Sequence, residues 1–352
     1  MNRFDYVRAE SVAEAVAAAA EPGAAYLAAG TNLLDLMKGG VSRPTRLVDV
    51  TRLPGLDAIE RLSDGALRIG ALVRNSDLAH DPDIGRRYPA MAEALLSGAS
   101  AQLRNAATTA GNIMQRTRCE YFYDPASACN KRDPGAGCNA RGGETRLHAV
   151  LGWTEHCVAT HPSDFCVPLV ALDAVVEIEG ASGRRDVPLE AFHRLPGDAP
   201  HIETVLAPGE LIVAARLPPE AAGFAAHARY LKVRERTSYA FAVVSAASGL
   251  RLQDGVIAEA RLALGGVALK PWRARAAETL LAGREPRESV FREAADAALA
   301  DATPSGDNAY KIELARRIVV RVLTLAAAGT PERLPALPAS PFAQTPGVPA
   351  LA

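Results

Sequence analysis

Hydrophobic and polar positions over the first 110 residues alternate in short blocks, the pattern of small α and β elements taken in turn. Ser11-Val-Ala-Glu14 reads as a capping box ahead of an alanine-rich helix that ends at Pro22-Gly23. A short strand is predicted over 24–28, then a turn at Gly30-Thr31-Asn32 and an apolar helical stretch to Met37. Further strands are predicted over 46–50 and 66–72, and a helix over 89–96. From Gln115 to Arg146 the periodicity vanishes, and segments of that length without elements are usually functional or disordered. Apolar strands resume over 167–179. Strands of one further sheet are predicted over 230–233, 240–252 and 258–269, followed by helical patterns over 272–282, 287–300 and 308–327. Strands first and helices after predict an α+β domain. The expected organisation is a first domain over 1–224, a second over 225–328 and a Pro/Ala-rich tail over 329–352, with no solenoid repeat.

Composition narrows the classes. Of 352 residues 49% are hydrophobic, enough for a sizeable core. Lys and Arg (39) nearly cancel Asp and Glu (40), which removes the electrostatic footprint of a nucleic-acid or anionic-membrane binder. No apolar run is long enough to span a bilayer, and the opening Met1-Asn-Arg-Phe-Asp5 lacks the apolar core of a signal peptide.

The cysteines change the picture. All five fall between Cys119 and Cys166, separated by nine, eight, eighteen and eight residues, unlike a zinc finger or a bacterial ferredoxin run. Three readings stand: buried thiols, disulfides, or widely spaced ligands of a [4Fe–4S] cluster wrapped by a long loop. Arg116, Arg118, Lys131, Arg132, Arg141 and Arg146 outnumber the nearby acids, and cationic surroundings favour thiolates. The turn 135–137 offers backbone N–H donors to sulfur.

Two small-residue turns offer anion-binding chemistry. Ala29-Gly30-Thr31-Asn32-Leu33-Leu34 follows a predicted strand and is either a site of free N–H groups or an ordinary strand–turn–helix junction. Thr108-Thr-Ala-Gly111-Asn112 is the second, with hydroxyls and an amide. Gly135-Ala-Gly137-Cys-Asn-Ala140 fits a dinucleotide fingerprint formally but follows no strand and opens no helix.

Taken together, 27–37 (LAAGTNLLDLM), 103–112 (LRNAATTAGN), Ser163-Asp164 and 230–234 (YLKVR) resemble the flavoprotein subunits of the xanthine dehydrogenase family of molybdenum hydroxylases, to about residue 328. Cys119-Glu-Tyr-Phe-Tyr-Asp, Cys129-Asn-Lys-Arg and His161-Pro-Ser-Asp164 are similar to the subclass, found in bacterial periplasmic aldehyde oxidoreductases, whose FAD subunit carries an extra [4Fe–4S] cluster. The resemblance implies an α+β fold: a two-part FAD-binding domain of the vanillyl-alcohol-oxidase (PCMH) type, then a C-terminal domain of the CO-dehydrogenase-flavoprotein type. It implies that Ala28, Ala29, Gly30, Thr31, Asn32, Leu33 and Leu34 hold the FAD pyrophosphate, with Thr108, Gly111 and Asn112 as a second wall. Asp164 would bond the sugar or ribityl portion, and Lys232 would lie near the isoalloxazine ring. The cluster ligands would be Cys119, Cys129, Cys138 and Cys157, leaving Cys166 as a buried thiol in an apolar strand.

The same resemblance implies a large molybdopterin subunit and a small [2Fe–2S] subunit as partners. This chain would pass their electrons through FAD to an external acceptor, assembled in the cytoplasm with export open to it on a partner's signal. The expected substrate is an aldehyde; the alternatives are a purine, N-heterocycle or aromatic CoA thioester within the same family, a stand-alone FAD oxidase, or a scaffold with a structural metal. Ala29 stands where many relatives have Gly, and a Rossmann-like NAD site is not evident.

Overall fold

The computed structural model describes residues 1–332, so most of the expected tail lies outside the described residues. Three sheets organise them. The first is parallel, with Arg46–Asp49 between Asp5–Arg8 and Ala24–Leu27. Helices Val12–Ala19 and Leu33–Lys38 make its crossovers. The forward half of the predicted capping box forms, Ser11 Oγ accepting from the Glu14 N–H at 3.2 Å, while Glu14 reaches one residue past the cap to the Glu10 N–H at 2.8 Å.

The second sheet has five antiparallel strands, in the order Ile59–Arg61, Leu67–Gly70, Leu211–Leu217, Val175–Gly180 and Gly183–Pro188. Short helices Asn75–His80, Pro82–Arg87, Pro89–Ser97, Ala101–Ala106 and Thr109–Ile113 follow Leu67–Gly70. The third sheet, Ala228–Val233, Val244–Gln253, Val256–Gly265 and Trp272–Arg273, is antiparallel. Asp254-Gly255, both at positive φ, make the tight turn between its two long strands. Helices Arg275–Leu281, Glu288–Ala298 and Tyr310–Ala327 complete this part. They bury Val290, Phe291 and Ala294, and Ile318, Val319, Val322 and Leu323, at helical spacing. A separate apolar core joins the five-stranded sheet and its helices to Tyr230, Ala247 and Ala263 of the third sheet. Among the described residues no helix is long and apolar enough to cross a membrane.

Several expectations are corrected. The apolar run expected as strand from 167 begins as helix Cys166–Ala171, so Cys166 opens a helix rather than lying in a strand; only Val175–Gly180 is strand. A run buried on every side has no period to distinguish the two states. Trp272 does not start a helix but pairs with Leu264 at a sheet edge. Thr108 is the N-cap of Thr109–Ile113, not part of a free turn; its Oγ1 accepts from the Gly111 N–H at 3.3 Å. The central strand Leu211–Leu217 was not among the predicted elements.

The last helix holds the irregular segment in place. Lys311, fully buried, donates to the carbonyls of Leu147 (3.0 Å), His148 (2.8 Å) and Gly266 (2.7 Å). Asn308 donates to the carbonyls of His148 at 3.0 Å and Ala149 at 3.1 Å. Burial pushes the Lys311 ammonium down to about 7, while the three acceptors work in the opposite direction. Deeper in the fold His161 and His193 stack with ring centres 4.3 Å apart. His193 Nε2 is 2.9 Å from the Ile113 carbonyl, and His161 Nδ1 accepts from the Ser163 N–H at 3.4 Å. Burial drives His161 well below its ordinary value and His193 to about 4.

Replacing Lys311 by Met strands the Leu147 and Gly266 carbonyls, while the His148 carbonyl keeps Asn308, and is expected to cost about 3 kcal/mol of unfolding free energy in chemical denaturation. A loss under about 1 kcal/mol would show that the clamp is dispensable. The histidines set an acid limit. Both stay neutral when folded but charge near pH 6.5 when unfolded, so stability falls as pH drops from about 6.5 toward 4, by about 3 kcal/mol from His193 alone. Denaturation curves from pH 8 to 5 should be shallower in pH dependence for His193→Gln; equal slopes would refute the assignment.

Candidate functional site

Two neighbouring hollows gather most of the chemistry singled out above. The larger is a cleft of about 720 Å³ between the parallel sheet, the short helices and the third sheet. Thr31, Asn32, Gly111, Asn112, Asp164 and Lys232 all line it. Ala28, Ala29, Gly30, Leu33 and Leu34 are the half-buried backbone on either side of Thr31 and Asn32. Gly30 has φ +73°, and a Cβ there would lie 2.7 Å from Leu34 Cδ1, so the tight turn requires glycine. Thr108 stands behind the wall and fixes Gly111 through its cap.

The side chains at this wall are already engaged with one another. Asn32 Oδ1 accepts from the Arg116 N–H at 2.8 Å, and its Nδ2 donates to Tyr123 Oη at 3.2 Å. The Asn32 amide thereby ties the Gly30 turn to the cysteine loop. Asn112 Oδ1 accepts from Ser163 Oγ and from Gln115 Nε2, both at 2.7 Å. Asp164 is gripped on both oxygens, by Tyr230 Oη at 2.5 Å and Lys232 Nζ at 2.7 Å. Lys232 also donates to the Ser97 carbonyl at 3.2 Å. Burial and the adjacent carboxylate raise the Tyr230 hydroxyl well above its ordinary value, so it stays a donor. Sequence reasoning missed Tyr230 in this role, although its two-residue spacing from Lys232 puts both on one face of a strand. Arg118, read from the sequence as part of the cationic surroundings of the cysteines, lines the cleft instead, its guanidinium 4.9 Å from the Phe241 ring centre.

The smaller hollow is lined by Cys119, Cys129, Cys138 and Cys157 together. Cys119 precedes the four-residue helix Glu120–Tyr123. Cys129 and Cys138 face each other across an antiparallel bridge, and Cys157 pairs with Thr154 in another. Asn130 locks the first bridge: its Oδ1 accepts from the Gly137 N–H at 2.8 Å. With the Ala136 N–H given to the Asp133 carbonyl at 3.0 Å, two of the three N–H groups of the 135–137 turn that the sequence offered to sulfur are engaged elsewhere.

The cationic surroundings are corrected as well. Of the six basic residues singled out, Lys131 alone lines this hollow. It is fully buried, donates to the Pro200 carbonyl at 2.8 Å and lies 3.7 Å from Glu203. Arg116 is turned to Glu203, Arg132 to backbone carbonyls, Arg141 to Glu155 and Arg146 to Glu235. Burial, reinforced by neighbouring thiols, pushes Cys119 up to about 12 and Cys157 to about 11, with Lys131 opposing it at Cys157. These thiols become thiolates only against a strong cation held among them.

Cys166 lies apart from the four. It is fully buried, and its thiol, raised to about 12 by burial, lies within 4.8 Å of ligand atoms of His161 and His193. Each imidazole spends one nitrogen on a backbone group and leaves the other, His161 Nε2 and His193 Nδ1, buried without a hydrogen bond.

Residues 2–220 match the family described as the FAD binding domain in molybdopterin dehydrogenase, and residues 229–326 match the CO dehydrogenase flavoprotein C-terminal domain. The two matches give a two-domain α+β fold, a PCMH-type FAD-binding domain followed by that C-terminal domain. The chain is 51% identical to the aldehyde oxidoreductase FAD-binding subunit PaoB of Escherichia coli K12, over 93% of this chain and 99% of that one. It is 29% identical to the carbon monoxide dehydrogenase medium chain of Hydrogenophaga pseudoflava, over 92% and 97%. The solved structure of carbon monoxide dehydrogenase from that organism, in a form lacking the Mo-pyranopterin moiety, superposes with a TM-score of 0.73 at 30% identity, covering 93% of this chain and 98% of that one. The chain therefore belongs to the FAD-binding, electron-transferring oxidoreductase subunits of the xanthine dehydrogenase, molybdenum hydroxylase and carbon monoxide dehydrogenase family.

Proposed function

We propose that this chain is the FAD- and [4Fe–4S]-holding electron-transfer subunit of a heterotrimeric molybdenum-dependent aldehyde oxidoreductase. Its partners are a large molybdopterin subunit and a small [2Fe–2S] subunit, with assembly in the cytoplasm and export open to it on a partner's signal. The observation that carries the reading is the convergence of Cys119, Cys129, Cys138 and Cys157 on one hollow beside the cleft. The 51% identity to an aldehyde oxidoreductase FAD-binding subunit supports the aldehyde assignment.

The donor set fits a polynuclear iron–sulfur cluster better than a single ion. Four thiolates at about 2.3 Å from one zinc would lie about 3.8 Å apart. Among the described residues the His161, Cys166 and His193 trio meets a 4.8 Å limit, whereas the four cysteines are more widely spread. Four thiolates leave any such cluster anionic, and the buried Lys131 ammonium offsets that charge.

The cleft fits FAD in size and in the chemistry of its walls. The backbone of 28–34 would take the pyrophosphate, Gly111 and Asn112, backed by Thr108, would form the facing wall, Asp164 would meet the sugar or ribityl portion, and Lys232 would lie toward the isoalloxazine ring. When bound, FAD supplies a ring that accepts and releases electrons singly or in pairs. Tyr230 and Lys232 hold Asp164 oriented, and the Asn32 amide keeps the Gly30 turn closed.

The test is the metal and flavin content of the full chain purified with its partners, with an EPR spectrum. About one FAD and four irons per chain are expected. One zinc per chain, or no iron, would overturn the cluster, and aldehyde oxidation by this chain without a molybdenum partner would overturn the subunit role. Cys129→Ser is expected to lose the iron and lower thermal stability; a soluble, FAD-replete variant as stable as the parent would rule out a structural part for the cluster.

A further inference from the structure

Cys119 is the one of the four converging cysteines that lines both the small hollow and the cleft. A single side chain addresses its sulfur from the cleft: His148, itself part of the cleft wall, with Nε2 3.2 Å from Cys119 Sγ. His148 Nδ1 is buried, and among the described residues it makes no hydrogen bond of normal geometry. A Cys119 that ligates the cluster is a thiolate with no proton to give, so in that state the contact requires the N–H on Nε2 and makes the ring the donor to sulfur.

The position of the ring is set from behind. The His148 carbonyl accepts from both Lys311 Nζ and Asn308 Nδ2, and its N–H donates to the Thr145 carbonyl at 2.8 Å. Tyr121 flanks the ring with centres 6.2 Å apart. The backbone is therefore anchored by groups that a change of side chain leaves intact, and the imidazole contributes one directed N–H to one ligand sulfur.

We propose that His148 is a positioning residue for the cluster site, donating through Nε2–H to the Cys119 sulfur and so raising the electron affinity of the cluster on its flavin-facing side. The inference rests on the cluster reading above. A donor to a ligand sulfur stabilises the more negative, reduced cluster more than the oxidised one. Placed on Cys119, it acts on the sulfur that stands between the two sites and leaves Cys129, Cys138 and Cys157 as they are.

The test is an EPR-monitored redox titration, with iron content, of the full chain in its assembly. In His148→Phe, which keeps a ring and removes the donor, the reduction equilibrium should shift about tenfold toward the oxidised cluster. That is a midpoint lower by about 59 mV for a one-electron couple. His148→Gln, which retains an N–H, should recover part of the shift at full iron content. An unchanged midpoint in iron-replete His148→Phe overturns the proposal and leaves the cluster standing. If His148→Phe loses iron, His148→Gln decides: an iron-replete midpoint below that of the parent supports tuning, while the parent midpoint or loss of iron overturns it. A parent protein without iron overturns both readings.

Discussion

From Gln115 to Phe165 the one regular element is the four-residue helix Glu120–Tyr123, so the backbone there must find hydrogen-bond partners outside any helix or sheet. Side chains supply them. Arg132 donates to the carbonyls of Tyr121 and Phe122 at 3.0 Å and of Asp124 at 2.8 Å. Asn130 serves Gly137 and His156, Thr117 the Thr160 carbonyl, and Lys311 and Asn308 the chain from Leu147 to Ala149. The four cysteines come together because these groups stand in for secondary structure. Cations that the sequence suggested for stabilising thiolates are mostly spent on carbonyls and carboxylates, with Lys131 left at the sulfurs.

The two hollows share more than a wall. Asn32 joins the Gly30 turn to Arg116 and Tyr123, and Asn112 joins Thr109–Ile113 to Ser163 and hence to Asp164. Arg118 donates to the Arg116 carbonyl at 2.7 Å and to Tyr123 Oη at 3.1 Å while packing on Phe241. A displacement of the cysteine loop therefore moves the floor of the cleft, and the polar groups of both sites form one connected network.

Much of this was legible in advance where local chemistry decides the outcome. The Ser11–Glu14 cap, the Gly30 turn and the amphipathic helices near the C-terminus depend on neighbours in sequence, and their residues announce them. The grouping of four cysteines against Cys166 came from motif resemblance, since spacings of eight to eighteen residues leave several partnerships open. What sequence did not disclose was set by distant partners. Cys166–Ala171 is uniformly apolar and took its helical state from packing against two sheets. Leu211–Leu217 gains its place from strands far away in the chain. The Asp164–Lys232 pair and the capture of Asn32 by the cysteine loop are tertiary contacts between motifs that each looked free to bind a ligand.

Leu211–Leu217 also bears on how the polypeptide matures as it leaves the ribosome. It lies between Leu67–Gly70 and Val175–Gly180, and the Ala71 N–H donates to the Val213 carbonyl at 3.0 Å. Until that strand emerges, the nascent chain holds Leu67–Gly70 with an open edge and lacks the apolar partners of Val176 and Ile178. The cysteine loop is synthesised entirely within that interval. Its thiols also precede Leu269, which packs with Cys157 and Cys119, and this leaves the nascent loop exposed to oxidation before the fold closes.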